Sequence, residues 1–315
     1  MFDHLTQTKR DAVRRALAAF GAAPEIEPVS GGLSGSGVWR VRGWGRQAIL
    51  KVERPPDGLN DPVRQYACMA IAADAGVCPR LLFADAQAGV ALVEHVESRP
   101  RPDRSTMLRE AGAMLRRLHA APAFPPLVDF PDGLDQLIAR LQALDLVDAA
   151  ALAPLLNRWS ELRAACRWGE DGLVASHNDP NPRNLIWDGR RLWLVDWEAA
   201  FLNDPMIDLA IIANYFAPGD ADDAALLNVY LGSSPDRRRL QRLGLMRQVC
   251  RIYYGVMMIN ASAGWTPPPA ARRLQAPPHD QVVADIAAGR ITLAEPAERF
   301  AYGAAMLNLV VAGQA

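Results

Sequence analysis

The chain has 315 residues, half of them hydrophobic, with 34 basic and 35 acidic side chains and a formal net charge of -1. That balance predicts a soluble globular protein and leaves no basic block on which a nucleic acid would settle. The length suits two packed lobes better than a single core, and the longest apolar runs, such as 209–216, are far too short to span a bilayer.

Residues 1–20 alternate charged and apolar positions like an amphipathic helix and unlike a signal peptide. A helix is predicted over Lys9–Phe20, ending at Gly21. Ser30-Gly31-Gly32-Leu33-Ser34-Gly35-Ser36-Gly37 follows, between a strand near Ile26 and another over Val38–Val41. Such a turn either lets backbone amides approach phosphate oxygens or is a flexible hairpin tip. After the turn Gly43-Trp44-Gly45, the strand Ala48–Glu53 places Lys51 on the same face as Ile49. An ammonium on an apolar face is costly without a partner, which favours a phosphate-binding role over a solvent-facing lysine. Asp61-Pro62 reads as the N-cap and first residue of a helix that runs to Ala75 and stops at Gly76. No acidic residue lies between Asp61 and Asp74. Arg80–Ala84 and Gly89–Val96 read as a hairpin ending in Glu94-His95-Val96, and Pro100 and Pro102 mark a boundary. Leu108, Ala111, Leu115 and Leu118 recur at helical spacing up to His119, itself read as a packed, hydrogen-bonded residue. Further helices are predicted over Leu134–Leu144 and Ala150–Trp168.

The most informative stretch is His177-Asn178-Asp179-Pro180-Asn181-Pro182-Arg183-Asn184. It spells H-x-D-x-x-x-x-N, the spacing of a kinase catalytic loop, where the Asp receives a hydroxyl proton and the Asn holds magnesium. Two short apolar strands then flank Asp188-Gly189, a hairpin turn signal. Folding that hairpin about Arg190 sets Asn184 opposite Asp196, so that two oxygen ligands face one ion. The same residue types populate ordinary turns, but the ordered set with a second Asp returned by a hairpin is a rarer pattern. Asp204-Pro205 opens a helix in which Ile207, Leu209 and Ile211 are buried and Asp208 needs a partner. Pro235–Ala263 reads as one long helical region, containing Tyr253-Tyr254 and leading to Trp265 and a proline-rich patch; a last helix is predicted over Pro296–Ala312.

On His177, Asp179 and Asn184, on Asp196-Trp197-Glu198 in place of D-F-G, and on Asn203-Asp204-Pro205-Met206-Ile207-Asp208-Leu209-Ala210, the chain resembles the aminoglycoside phosphotransferase and choline kinase superfamily, in its choline-kinase-like branch. The resemblance implies an α+β, two-lobed protein-kinase-like fold. Its small antiparallel-sheet N-lobe, which binds nucleotide, would cover residues 1–96, and a mainly helical C-lobe residues 97–315. It implies transfer of the γ-phosphoryl group of ATP, with Mg²⁺, to a hydroxyl of a small molecule. Asp179 would be the catalytic base, and Asn184 and Asp196 the metal ligands. The nucleotide would meet Ser34, Gly35, Ser36 and Lys51, and the backbone at Glu94 and Val96. His177 would support the loop, and Asp208 would brace it through backbone amides. Arg183 would neutralise developing charge or pair with Asp208. Glu198 would touch a second metal, a cationic substrate or only the backbone.

The sequence departs from the family where the helix glutamate that pairs with the strand lysine is expected: the position falls on Ala67, with Gln65 one small shift away. That departure favours an alternative, a nucleotide-binding pseudokinase or regulatory protein, whereas the intact Asp179, Asn184 and Asp196 favour an enzyme. Trp197, Glu198, Tyr253, Tyr254 and Trp265 would offer aromatic faces and a carboxylate to a choline-like acceptor. Only Glu295 and Glu298 are acidic in the last segment, which argues against a polycationic aminoglycoside. Without D-F-G or a long segment between Asp196 and Asp204, a protein kinase fits poorly. Cys68, Cys78, Cys166 and Cys250 form no C-x-x-C pair and read as buried free thiols, consistent with a cytoplasmic location. A small-molecule partner is expected, with no nucleic acid and no membrane.

Overall fold

The computed structural model describes residues 2–18, 20, 24–29, 36–58 and 60–313. The chain divides into two compact units, one of Met1–Leu127 with Asp171–Ser234 and the other of Val128–Glu170 with Pro235–Ala315. Residues from both sides of position 96 contribute to the first unit.

The first unit opens with α1 (Gln7–Ala18), β1 (Glu25–Pro28), β2 (Gly37–Gly43) and β3 (Arg46–Val52), followed by α2 (Pro62–Asp74), β4 (Leu81–Asp85), β5 (Val90–Glu94) and α3 (Arg104–His119). The five strands form one antiparallel sheet in the order β1-β2-β3-β5-β4. Trp44 and Gly45 both take positive φ between paired Gly43 and Arg46, the two-residue turn whose twist suits adjacent antiparallel strands. Along β3, Ala48, Leu50 and Val52 point to one side. There they join Trp39, Val41 and Leu92 in a core with Ala12, Val13 and Ala16 of α1. Ile49 and Lys51 are left on the opposite face. The Asp61 carboxylate accepts the Val63 N–H at 3.0 Å to start α2. Gly76, at φ +69, lets the chain turn away after it.

In the second unit α4 (Phe130–Ala143) and α5 (Ala149–Ala165) come first. The chain then returns to the first unit with β6 (Val174–Ser176), β7 (Leu185–Trp187), β8 (Leu192–Leu194), β9 (Phe201–Asn203), α6 (Pro205–Phe216) and α7 (Asp220–Leu231). Here β6 pairs with β9, β7 pairs with β8, and α3 packs on α6 and α7. Asp204 caps α6 by accepting the Met206 N–H at 2.9 Å.

The remaining helices, α8 (Arg237–Asn260), α9 (Pro269–Arg272), α10 (His279–Ala287) and α11 (Pro296–Val311), belong to the second unit. Helices α8 and α11 meet at Gly255 and Gly303, where a Cβ on Gly303 would lie 2.6 Å from the Gly255 carbonyl oxygen. The α+β composition, sheet first and helices after, is the expected class. All four cysteines are buried and none is in a disulfide, and no helix among the described residues is long and apolar enough to cross a membrane.

Candidate active site

The site is built on the first unit, from the open face of the sheet and the β6–α6 segment. A cleft of about 520 Å³ is lined by Ile49, Lys51, Val93, Glu94, Val96, Val195 and Asp196, among others. Val96 follows the end of β5, and its backbone makes no hydrogen bond with the described chain. Glu94 lines the same end, its side chain 3.9 Å from Arg80. Ser34 and Gly35 lie outside the described residues. The Ser36 hydroxyl donates to Glu53 Oε2 at 2.5 Å.

Lys51 stands at the inner end of the cleft. Its Nζ is 2.8 Å from Asp196 Oδ1 and 3.2 Å from Glu53 Oε1. Burial alone would lower its pKa, but the carboxylates of Asp196 and Glu53 outweigh burial and hold Lys51 above its ordinary value. From α2 the neutral Gln65, not Ala67, reaches this pair: its Nε2 donates to Glu53 Oε1 at 3.1 Å. Sequence reasoning missed Glu53. The available signal was strand alternation, which puts residues 49, 51 and 53 on one face. It also missed Arg64 on the same helix, whose guanidinium donates to the carbonyls of Ala200 and Glu198, bracing the turn after Asp196.

The catalytic-loop residues are held by a network with few open ends. Asn178 takes a left-handed conformation at φ +62, which Asn tolerates better than most residues. Its side chain accepts from Ser176 and Asn203 and donates to the Ala199 carbonyl. The turn aims the next residue outward, and two amides fix its carboxylate. Asn181 Nδ2 lies 2.8 Å from Asp179 Oδ1, and Asn184 Nδ2 lies 3.0 Å from Asp179 Oδ2. Because the Asn184 nitrogen faces Asp179, its carbonyl oxygen is the acceptor left for another partner.

His177 is buried, with both ring nitrogens engaged. Nε2 donates to the Val195 carbonyl at 3.1 Å, and Nδ1 accepts the Asp179 N–H at 3.3 Å. Burial pushes it below its ordinary value, so it is a neutral strut between the loop and the hairpin.

Asp208 is fully buried in α6 and accepts the backbone N–H groups of His177 at 2.9 Å and Asn178 at 2.7 Å. Its side-chain partner is His119 of α3, with Nε2 3.0 Å from Asp208 Oδ2 and Nδ1 2.9 Å from the Tyr230 hydroxyl. Arg183 is exposed and is not that partner: the enclosed Asp208 carboxylate is taken up by His119 and by the His177 and Asn178 amides. Burial would raise Asp208, but the hydrogen bond from His119 and the backbone amide of His177 more than offset it and hold it below its ordinary value.

The hairpin register differs from the expected one by a residue. Leu185 pairs with Leu194, Ile186 with Trp193 and Trp187 with Leu192, so Asn184 lies opposite Val195, whose N–H donates to its carbonyl at 3.0 Å. The cause is the Asp188 side chain, which accepts the N–H groups of Arg190 and Arg191 and moves the turn centre to Gly189-Arg190. Asp196 follows at φ +67, a second left-handed residue, and is aimed at Lys51.

Glu198 lies beside this group, with Oε2 buried and without a hydrogen-bond partner. Burial first, then the Asp196 charge, push its carboxyl up to about 7. Trp197 is core: its ring lies 4.6 Å from that of His177 and 6.1 Å from that of Phe124, and it is 1% exposed. In the second unit Tyr253 packs on Phe130 and Trp265 on Phe300, each at 5.3 Å between ring centres. Trp197 and Trp265 are thus occupied in packing, which weakens the idea of an open aromatic cage.

A family model described as the phosphotransferase enzyme family matches residues 25–243. The chain belongs to that family. It is a phosphotransferase, similar in fold to several solved kinases. A choline/ethanolamine kinase family protein from Mesorhizobium loti is 22% identical with a TM-score of 0.63, covering 95% of this chain and 99% of that one. The choline kinase LicA from Streptococcus pneumoniae is 14% identical at a TM-score of 0.63, covering 90% of this chain and 100% of its own. A macrolide 2'-phosphotransferase from Brachybacterium faecium is 18% identical at 0.59, covering 81% of this chain and 94% of its own. Among curated proteins none matches.

Proposed function

We propose that this phosphotransferase moves the γ-phosphoryl group of ATP to a hydroxyl of a small molecule, of the choline or amino-alcohol class. The observations that carry the reading are the Lys51–Asp196 pair and the Asp179 carboxylate braced by Asn184, whose backbone carbonyl accepts the N–H of Val195, the residue before Asp196. Residues 1–96 act as the nucleotide-binding part, with Glu94 and Val96 offering backbone groups to the base and Lys51 meeting the phosphates. The chemistry of the donor set fits magnesium. Asp196 supplies a carboxylate and Asn184 an amide oxygen, and Mg²⁺ is commonly held by one or two such ligands together with substrate phosphates. Bound there, the ion would neutralise charge on the transferring group.

Asp179 receives the acceptor's proton as its oxygen attacks phosphorus, while the bond from that phosphorus to the bridging oxygen breaks and ADP departs. Asn181 and Asn184 keep the Asp179 carboxylate turned for this step. Alignment of this kind, more than a perturbed pKa, accelerates phosphoryl transfer. Glu198, with a buried unpartnered oxygen, is positioned to receive a cationic group of the acceptor. The test is calorimetric: Asp196→Ala should lose the Mg²⁺ dependence of ATP binding. Unchanged magnesium dependence would remove Asp196 as a ligand.

A further inference from the structure

We propose that Glu53, carried on the same strand run as Lys51, positions that lysine for the nucleotide phosphates in place of a carboxylate on α2. Resting on the ATP reading above, the argument begins with what is fixed and what can move. Asp196 and Glu53 share the ammonium, at 2.8 and 3.2 Å, but the Asp196 side chain is 34% exposed and that of Glu53 is 0% exposed. Asp196 is therefore the partner able to turn towards another cation, and Glu53 is the one that stays.

Both Glu53 oxygens are engaged. Oε1 accepts from Gln65 and lies against Lys51, and Oε2 accepts from Ser36. Its backbone N–H is also fixed, on the Gly89 carbonyl at 2.8 Å. A buried carboxylate with three donors at hydrogen-bond distance is an anchored anion.

Placing the anion here has a mechanical consequence. Glu53 directly follows β3, and its N–H on the Gly89 carbonyl holds it in line two residues beyond Lys51, where extended chain puts both side chains on one face, so the Lys51–Glu53 contact does not depend on where α2 sits. From α2 comes only an amide, Gln65, which orients Glu53 without supplying charge. A shift of the helix would cost Glu53 one hydrogen bond, that from Gln65, and leave the ion pair. Without the Glu53 charge, Asp196 would be the carboxylate left in contact with Lys51, and the ammonium would close on the group proposed to hold the metal.

The experiment compares MgATP with adenosine by calorimetry in the wild type, in Glu53→Gln, and in the exchange variant Glu53→Gln/Gln65→Glu. The exchange variant moves the carboxylate to the helix side of the same contact. A positioning role predicts that Glu53→Gln weakens MgATP about 100-fold, as expected when one partner of a buried charge pair is removed. Adenosine, which has no phosphate for Lys51, should stay within about threefold, and the exchange should recover about tenfold for MgATP. Equal losses for the two ligands would make Glu53 a purely structural residue, and unchanged MgATP affinity or an exchange variant no better than Glu53→Gln would also overturn the proposal. If Glu53→Gln does not fold, Gln65→Leu keeps the charge but frees it from its amide. It should weaken MgATP about fivefold with adenosine unchanged, and no change would count against the role. A wild type that binds neither ligand would instead sink the ATP reading itself.

Discussion

Replacing Asp208 by Asn tests the loop's support at one atom's cost. The carboxylate accepts three hydrogen bonds in a site sealed from water: Asn178 N–H on Oδ1, and His177 N–H and His119 Nε2 on Oδ2. An amide has a single acceptor oxygen. In its better orientation it keeps the Oδ2 contacts and turns its NH₂ against the Asn178 N–H, orphaning a buried amide at about 1–3 kcal/mol. The two contacts that remain lose charge assistance, which roughly halves each, for about another 1–2 kcal/mol. The sum is about 3–5 kcal/mol. Urea unfolding of wild type and variant should move the transition of the first unit by that amount and leave that of the second in place. His119→Gln should lose less, and the double variant should reveal coupling of about 1–3 kcal/mol. A first-unit shift below about 1 kcal/mol for Asp208→Asn would refute the reasoning that these three bonds are what hold the loop.

Acid should also find the loop's histidine. His177 is pushed below its ordinary value, so the unfolded chain takes up a proton that the folded one refuses. Stability is then full above the unfolded value, near 6.5, and declines as pH falls below it. One such group contributes a slope of up to about 1.4 kcal/mol per pH unit, and pH-dependent urea unfolding of His177→Gln should be flatter by that slope; an unchanged slope would contradict the neutral strut. In the second unit, Gly303→Ala places a methyl 2.6 Å from the Gly255 carbonyl oxygen, so α8 and α11 must part. Thermal unfolding should show a loss of about 1–3 kcal/mol. Gly244→Ala, with nothing within 4 Å of its Cβ, is the control that should be neutral or stabilising.

Much of this was legible because local rules and tertiary needs agree. Asp61-Pro62 and Asp204-Pro205 cap helices for the reasons their sequence suggests. The alternation around Lys51 describes the two faces of β3 correctly. The hairpin was legible as an element but not in register, because a side chain decides its centre: Asp188 takes two backbone amides and moves the turn by one residue. The Asp208 partner was hidden because 89 residues separate it from His119, and no local pattern encodes that contact. Glu53 was overlooked for the opposite reason. It sits two residues from Lys51, whereas the family pattern points to a helix that here carries no glutamate. Trp197 is withdrawn from any aromatic cage by burial, since it fills the core beneath the loop.

The most direct test of the account is Mg²⁺-dependent release of ADP from ATP across choline, ethanolamine, aminoglycosides, sugars and other amino-alcohols, with Asp179→Asn alongside. The account predicts turnover with an amino-alcohol in the wild type and a loss of about 100-fold or more in the variant, whose ATP affinity stays close to wild type. Equal turnover in Asp179→Asn would contradict the assignment of Asp179 as the base. ATP binding without ADP release for any acceptor would contradict the amino-alcohol substrate class.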